Sequence, residues 1–246
     1  ARALVAGATN ESSSAQVLKD ALDSVFAGDE NTVTGGVFND DNQVSLDSEI
    51  FGELAIGAQG QSGFLFFSDG TGRQSTDRIG VGDTPGALGS LVLSDTGNSL
   101  VIRADNGNFA VGDSPQASGV AVVQDGASIG ALYVLIGNEG RGEMIVSGEG
   151  GRVIASTAYG SDSLGNNDGG TLLVGNQAET AGRLEIEDKA LVEVHSTGGE
   201  TGGPAVLLGR TETSRGEVVV TNQGVLRLTE ETAGGSGYTP GIVVGE

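Results

Sequence analysis

The residues with the clearest chemical potential are aspartates that return at one structural position. Asp69, Asp95 and Asp125 each stand six residues after a glycine, at Gly63, Gly89 and Gly119. If those segments stack, the three carboxylates form a column with like charges roughly 5 Å apart, which invites a divalent cation such as calcium. The same position is Gly148, Asp188 and Asn222 further along. Asp, Asn and Gly are the residues that make tight turns, so turn geometry explains the column better than charge does. The oxygen-rich stretches NDDNQ (39–43) and SDSLGNND (161–168) lack the spacing of a calcium loop and read as solvated acidic loops. His195 stands alone beside Ser196, after a strand, with no third partner for nucleophilic catalysis. Paired carboxylates on a strand face would mark a polysaccharide-cleaving enzyme. The outward column where they belong holds one acid, Glu185, with no acid above or below it. The sequence therefore names no catalytic residue and no cofactor.

The elements that position these residues are repeats. A short apolar tetrapeptide closes on Gly57, Gly82, Gly112, Gly137, Gly175, Gly209 and Gly245, at spacings of 25, 30, 25, 38, 34 and 36. The residue before each glycine and the one two further back are apolar in all seven cases, from Leu54 and Ile56 to Ile242 and Val244. That period is a strand with one buried face. Five to seven residues later comes a second glycine: Gly63, Gly89, Gly119, Gly142, Gly182 or Gly216. The second and fourth positions after it are apolar and the fifth is polar, which makes a second strand. A third strand appears as SLVI (99–102), RVIA (152–155), ALVEV (190–194) and GVLRL (224–228). Insertions gather after it, in TAYGSDSLGNNDGG (157–170) and TEETAGGSGYTPG (229–241).

Three short strands per repeat with glycine corners predict an all-β chain, a parallel β-helix or β-solenoid of about six to eight coils. Residues 51–246 form this repeat domain. Residues 1–50 are an irregular N-terminal cap or imperfect coils, with a helix pattern at 14–26 and coil-like pieces at 31–36 and 42–48. The last coil stops one strand in, at Glu246, so a longer repeat array is expected.

Composition closes off other classes. The chain of 246 residues carries 33 acidic and 12 basic side chains, a formal charge of −21, with 44 Gly and no Cys. Collagen fails because glycine has no period of three, and disulfide or thiolate-metal scaffolds fail without cysteine. The acidity opposes nucleic acid, and no apolar run is long enough for a transmembrane helix. One feature breaks the polar-outward rule. The third position of the second strand, Phe66, Val92, Val122 and Ile145, is apolar in four successive repeats. Such a stripe can be an interaction face.

The repeat pattern, most clearly VLIGNEGRGEMIVSGEGGRV (134–153) and VLLGRTETSRGEVVVTNQGVLRL (206–228), resembles autotransporter passenger domains. More closely, it is similar to the autotransporter-associated β-helix repeats of type V secreted proteins. The resemblance runs from Leu54 to the end and implies a passenger that crosses the outer membrane unfolded and coils up outside. It places the chain outside the cell or on the outer-membrane surface of a Gram-negative bacterium. The expected role is non-enzymatic: adhesion or self-association, with itself or with ligands on host or neighbouring cells as partners. A polysaccharide-acting hydrolase or lyase on the same fold, and a passive stalk presenting another domain, are the alternatives.

Overall fold

A computed structural model of the chain describes residues 36–38, 44–46, 53–57, 62–68, 72–76, 78–94, 100–156, 171–196, 205–230 and 242–244. Side chains are described for 55–57, 78–94, 107–156, 171–195, 205–229 and 242–244. The described elements are all strands. In the first half they are β1 (Gly36–Phe38), β2 (Val44–Leu46), β3 (Glu53–Ile56), β4 (Ser62–Ser68), β5 (Gly72–Thr76), β6 (Arg78–Val81), β7 (Leu88–Ser94), β8 (Leu100–Val111) and β9 (Ser118–Gln124). There follow β10 (Ser128–Ile136), β11 (Arg141–Ser147), β12 (Arg152–Ser156), β13 (Thr171–Val174), β14 (Ala181–Ile186) and β15 (Leu191–Ser196). The last are β16 (Val206–Leu208), β17 (Arg215–Val220), β18 (Val225–Glu230) and β19 (Ile242–Val244).

The second strands of successive repeats form one parallel sheet in the order β4-β7-β9-β11-β14-β17. Their glycines pair in register, Gly63 with Gly89, then Gly119, Gly142, Gly182 and Gly216. First and third strands share a second sheet, because β8 and β10 each run unbroken from a third strand into the next first strand. Two third strands escape the sequence pattern: the start of β10, because no turn signal separates it from the first strand that follows, and β5, because GRQST carries no apolar residue. Parallel sheets in this order are consistent with a β-solenoid, and each repeat is called a rung below.

The core lies between the sheets. Ile79, Val81, Phe109, Val111, Ile136, Leu172 and Val174 from first strands are fully buried, as are Leu91, Leu93, Val123, Met144, Val146 and Ile186 from second strands. Of the thirteen first-strand residues expected inside whose side chains are described, two are exposed and Leu208 is half-buried. Ile242 is 52% and Val244 71% exposed, because β19 pairs with β16 alone and no described strand stacks on its other side. In the lower rungs the residue between the inward pair departs from expectation too. Ala55, Ala110 and Leu135 face outward yet are buried. Parallel strands covered on both faces read as continuous apolar runs, and LAI, FAV and VLI are such runs.

Near the N-terminus, β1 and β2 pair antiparallel, Gly36 against Leu46, where stacked coils would be parallel. The helix pattern at 14–26 lies outside the described residues.

The corners set the rung spacing. Gly57, Gly82, Gly112, Gly137, Gly175 and Gly209 all have φ between 61° and 73°. Each of the last five donates its N–H to the rung below, as Gly112 N does to Val81 O at 2.8 Å. A Cβ on Gly112 would overlap the Arg141 carbonyl of the next rung. Gly112→Ala should therefore destabilise the chain by at least about 3 kcal/mol, combining backbone strain with a backbone clash. Gly86→Ala is the control: φ is 73° but nothing lies within 4 Å of its Cβ position. It should cost only about 1 kcal/mol. Thermal melting of the two variants checks both.

Candidate functional site

The aspartate column resolves as turn geometry where it is described. Asp125, Gly148, Asp188 and Asn222 have φ of 54°, 76°, 51° and 46°, the left-handed conformation that Gly, Asn and Asp tolerate. Ala127 N, Ala190 N and Gly224 N then close turns on Gln124 O, Glu187 O and Thr221 O at 2.7–3.1 Å. Asp125 Oδ2 accepts a hydrogen bond from Ser94 Oγ at 3.3 Å. Asp69 and Asp95 lie outside the described residues. Among the described residues no three His, Cys, Asp or Glu side chains converge as a metal site would need.

A polar ladder that sequence reading missed runs up the opposite corner. The residue after each corner glycine from Gly82 to Gly209 is Asp83, Asp113, Asn138, Asn176 or Arg210. Arg78 bridges the carboxylates of Asp83 and Asp113. Asn138 Nδ2 donates to Asp113 Oδ1 at 2.7 Å, Asn176 Nδ2 to Asn138 Oδ1 at 2.6 Å, and Arg210 Nη1 to Asn176 Oδ1 at 3.3 Å. Five rungs are thus laced by side chains that each spend donors and acceptors on the next. Burial would lower the Arg78 pKa, but its hydrogen bonds to Asp83 and Asp113 and their charges raise it overall. Asp83 folds over Gly80, where a Cβ would sit 2.5 Å from Asp83 Oδ1, so the ladder helps cover the outer face of β6. Its signal was in plain sight: Gly followed by Asp, Asn or Arg at every corner from Gly82 to Gly209. With its polar atoms already paired, the ladder is a fastening between rungs.

The outer face of the second-strand sheet is divided. In its lower half the register aligns Phe66, Val92, Val122 and Ile145 as one column. Val92, Val122 and Ile145 are half-buried, and beside them Leu88 is 53% and Val120 37% exposed. In its upper half, Glu143, Arg183 and Glu217 form the neighbouring column. Arg183 Nη1 lies 2.8 Å from Glu143 and 2.7 Å from Glu185, and its Nε lies 3.6 Å from Glu217. Glu185 is therefore not alone. Three carboxylates meet on one face, but all share one guanidinium, whose pKa its Glu185 hydrogen bond raises most. A carboxyl that must stay protonated as a general acid gains nothing from such a neighbour.

His195 lies within β15, half-buried, with Nε2 3.9 Å from Glu193 Oε1. Glu193 itself is buried beneath Arg152 of β12, whose Nε donates at 2.8 Å, and Arg227 of β18, whose Nη1 donates at 2.9 Å. Among the described residues no helix is long and apolar enough to cross a membrane. No protein-family model matches the sequence, and searches of curated proteins and of solved structures find no match.

Burial pushes Glu193 up, but the hydrogen bond and charge of Arg152, with Arg227 and His195, hold its carboxyl below the ordinary value of 4.5. A depressed carboxylate stabilises the fold above its unfolded pKa and loses that stabilisation as pH falls through the folded one. Glu193→Gln should thus cost about 2 kcal/mol at neutral pH. The gap between parent and variant melting temperatures should narrow as pH falls below 4.5 and close as pH falls through the lowered folded-state pKa. Melts across pH 3–8 (a range spanning about the carboxylate pKa values) read both effects.

Proposed function

We propose that this chain is the β-solenoid passenger of an autotransporter-like protein. In this reading it has six to eight coils, with residues 1–50 as its N-terminal cap. It is non-enzymatic and lies outside the cell or on the outer-membrane surface of a Gram-negative bacterium. Its work is adhesion or self-association. The parallel register of the second strands supports the solenoid, and the pairing of Glu143, Glu185 and Glu217 with Arg183 weighs against a carboxylate-based hydrolase or lyase. A passive stalk would need no apolar face.

The observation that carries the reading is the stripe of Val92, Val122 and Ile145, stacked in register and flanked by exposed Leu88 and Val120. Phe66 occupies the same column in β4. Apolar area buried at about 25 cal/mol per Å² contributes several kcal/mol to association before the entropic cost. Two rods of charge −21 repel each other, but salt screens that repulsion beyond about 8 Å.

Self-association should therefore strengthen as salt rises and disappear in the Val92→Lys, Val122→Lys double variant, read by analytical sedimentation. A single monomeric species at both low and high salt would refute this role. On intact cells of the producing bacterium, external protease should remove the chain; a protected chain would refute the location.

A further inference from the structure

The corners between first and second strands are not equal in length. The second glycine stands seven positions after the first in Gly82/Gly89, Gly112/Gly119, Gly175/Gly182 and Gly209/Gly216, but only five positions after it in Gly137/Gly142. The short corner is tied tightly into the stack. Gly140 N and Arg141 N donate to Gly112 O and Ala117 O below at 3.0 and 2.9 Å. Gln177 N and Ala181 N donate to Asn138 O and Gly140 O from above at 3.0 and 3.2 Å. The longer corners below and above project past it, and a slot of about 740 Å³ lies between them. Its facing walls are two rungs apart, so their backbones are roughly 10 Å from each other and leave room for one ring's thickness.

The walls are matched in pairs. Pro115 and Ala178 hold the same place in their corners, three residues past the glycine, and both line the slot. Gln116 and Glu179 hold the next place and form its lips. Both lips are in the left-handed conformation, φ 62° each, at the position where the corner below has Gly86. A long side chain there carries backbone strain that glycine would avoid. Arg141 is exposed and lines the slot. Like Arg215 in the same strand position two rungs above, it has no ion-pair partner among the described residues.

We propose that this slot binds a single neutral pyranose unit of a glycan. Pro115 and Ala178 offer apolar surface to the two C–H faces of the ring. Gln116, Glu179 and Arg141 each present two adjacent polar atoms, the arrangement that engages neighbouring hydroxyls. Glu139 and Glu179 beside Arg141 disfavour a polyanion, as does the chain's charge of −21, and Arg141 disfavours an ammonium. An extended peptide would find no ladder to join, because the short corner's N–H and C=O groups named above are already bonded. The slot would give the adhesive reading a ligand class. It lies apart from the apolar stripe, so its test and the self-association test succeed or fail separately.

The test is saturation-transfer NMR and calorimetry on the whole chain. Cellohexaose, mannohexaose and chitohexaose are the neutral probes; hexagalacturonate and an alanine-rich peptide are the counter-probes. At least one neutral oligomer should bind at millimolar concentration or below. Inserting Ser-Pro between Asn138 and Glu139 restores the seven-residue corner and fills the slot; it should weaken binding by about tenfold or more. The double variant Gln116→Gly, Glu179→Gly removes both lips and relieves strain; it should weaken binding similarly while melting no lower than the parent. It decides the matter if the insertion fails to fold. The proposal is overturned if no neutral oligomer binds, if either counter-probe binds more tightly than all three, or if binding survives the lipless variant.

Discussion

The close approach of successive rungs at their glycine corners underlies everything else in the molecule. A corner glycine donates its N–H to the rung below while the carbonyl of the rung above occupies the space a Cβ would need. The left-handed φ, the rung-to-rung hydrogen bond and the absent side chain are one constraint. It holds the sheets in parallel register, so identical positions fall into columns along the stack. A column of valines then becomes a core, and a column of polar residues becomes a ladder. The side-chain period within a strand decides which columns face inward.

Stacking also explains how so acidic a chain tolerates its charge. Equivalent residues on neighbouring rungs are about 5 Å apart, close enough for like charges to repel strongly. The described columns avoid that by alternation: Glu143, Arg183 and Glu217 on one face, Ile154, Glu193 and Arg227 on another. The corner ladder does it with mixed chemistry, passing from Arg78 through Asp113 to the amides of Asn138 and Asn176. The exposed pairs are worth little one by one. Among the described residues Glu193, buried between Arg152 and Arg227, is the carboxylate whose loss should be felt most.

The outward faces carry what the proposed adhesive function would use. The second-strand sheet is apolar along one half and charged along the other, a division that register alone creates. At the corner, a shortened loop leaves a recess that seven-residue corners would have filled. Both features arise without disturbing the core, since corners and outward positions vary while glycines and inward positions repeat.

Strand periodicity, the glycine corners and the composition were legible in the sequence because they are local: an apolar residue two before a glycine says where a strand ends, whichever rung lies above it. From those came the all-β class, the parallel stacking and most of the core, including Phe109, Leu172 and Leu184. The turn meaning of Asp125 was also local, since Gly148 and Asn222 stand at the same place. What the sequence did not yield depends on which residues meet between rungs. Arg78 reaching Asp113, Arg183 reaching Glu143 and Glu217, and Glu193 closing under Arg152 all join residues 30 or more positions apart. The exposure of Ile242 and Val244 follows from having a neighbour on one side only, which no local pattern records. The recess at Arg141 needs both a count along the chain and the fact of stacking: two residues are missing from a corner only relative to the corners above and below it.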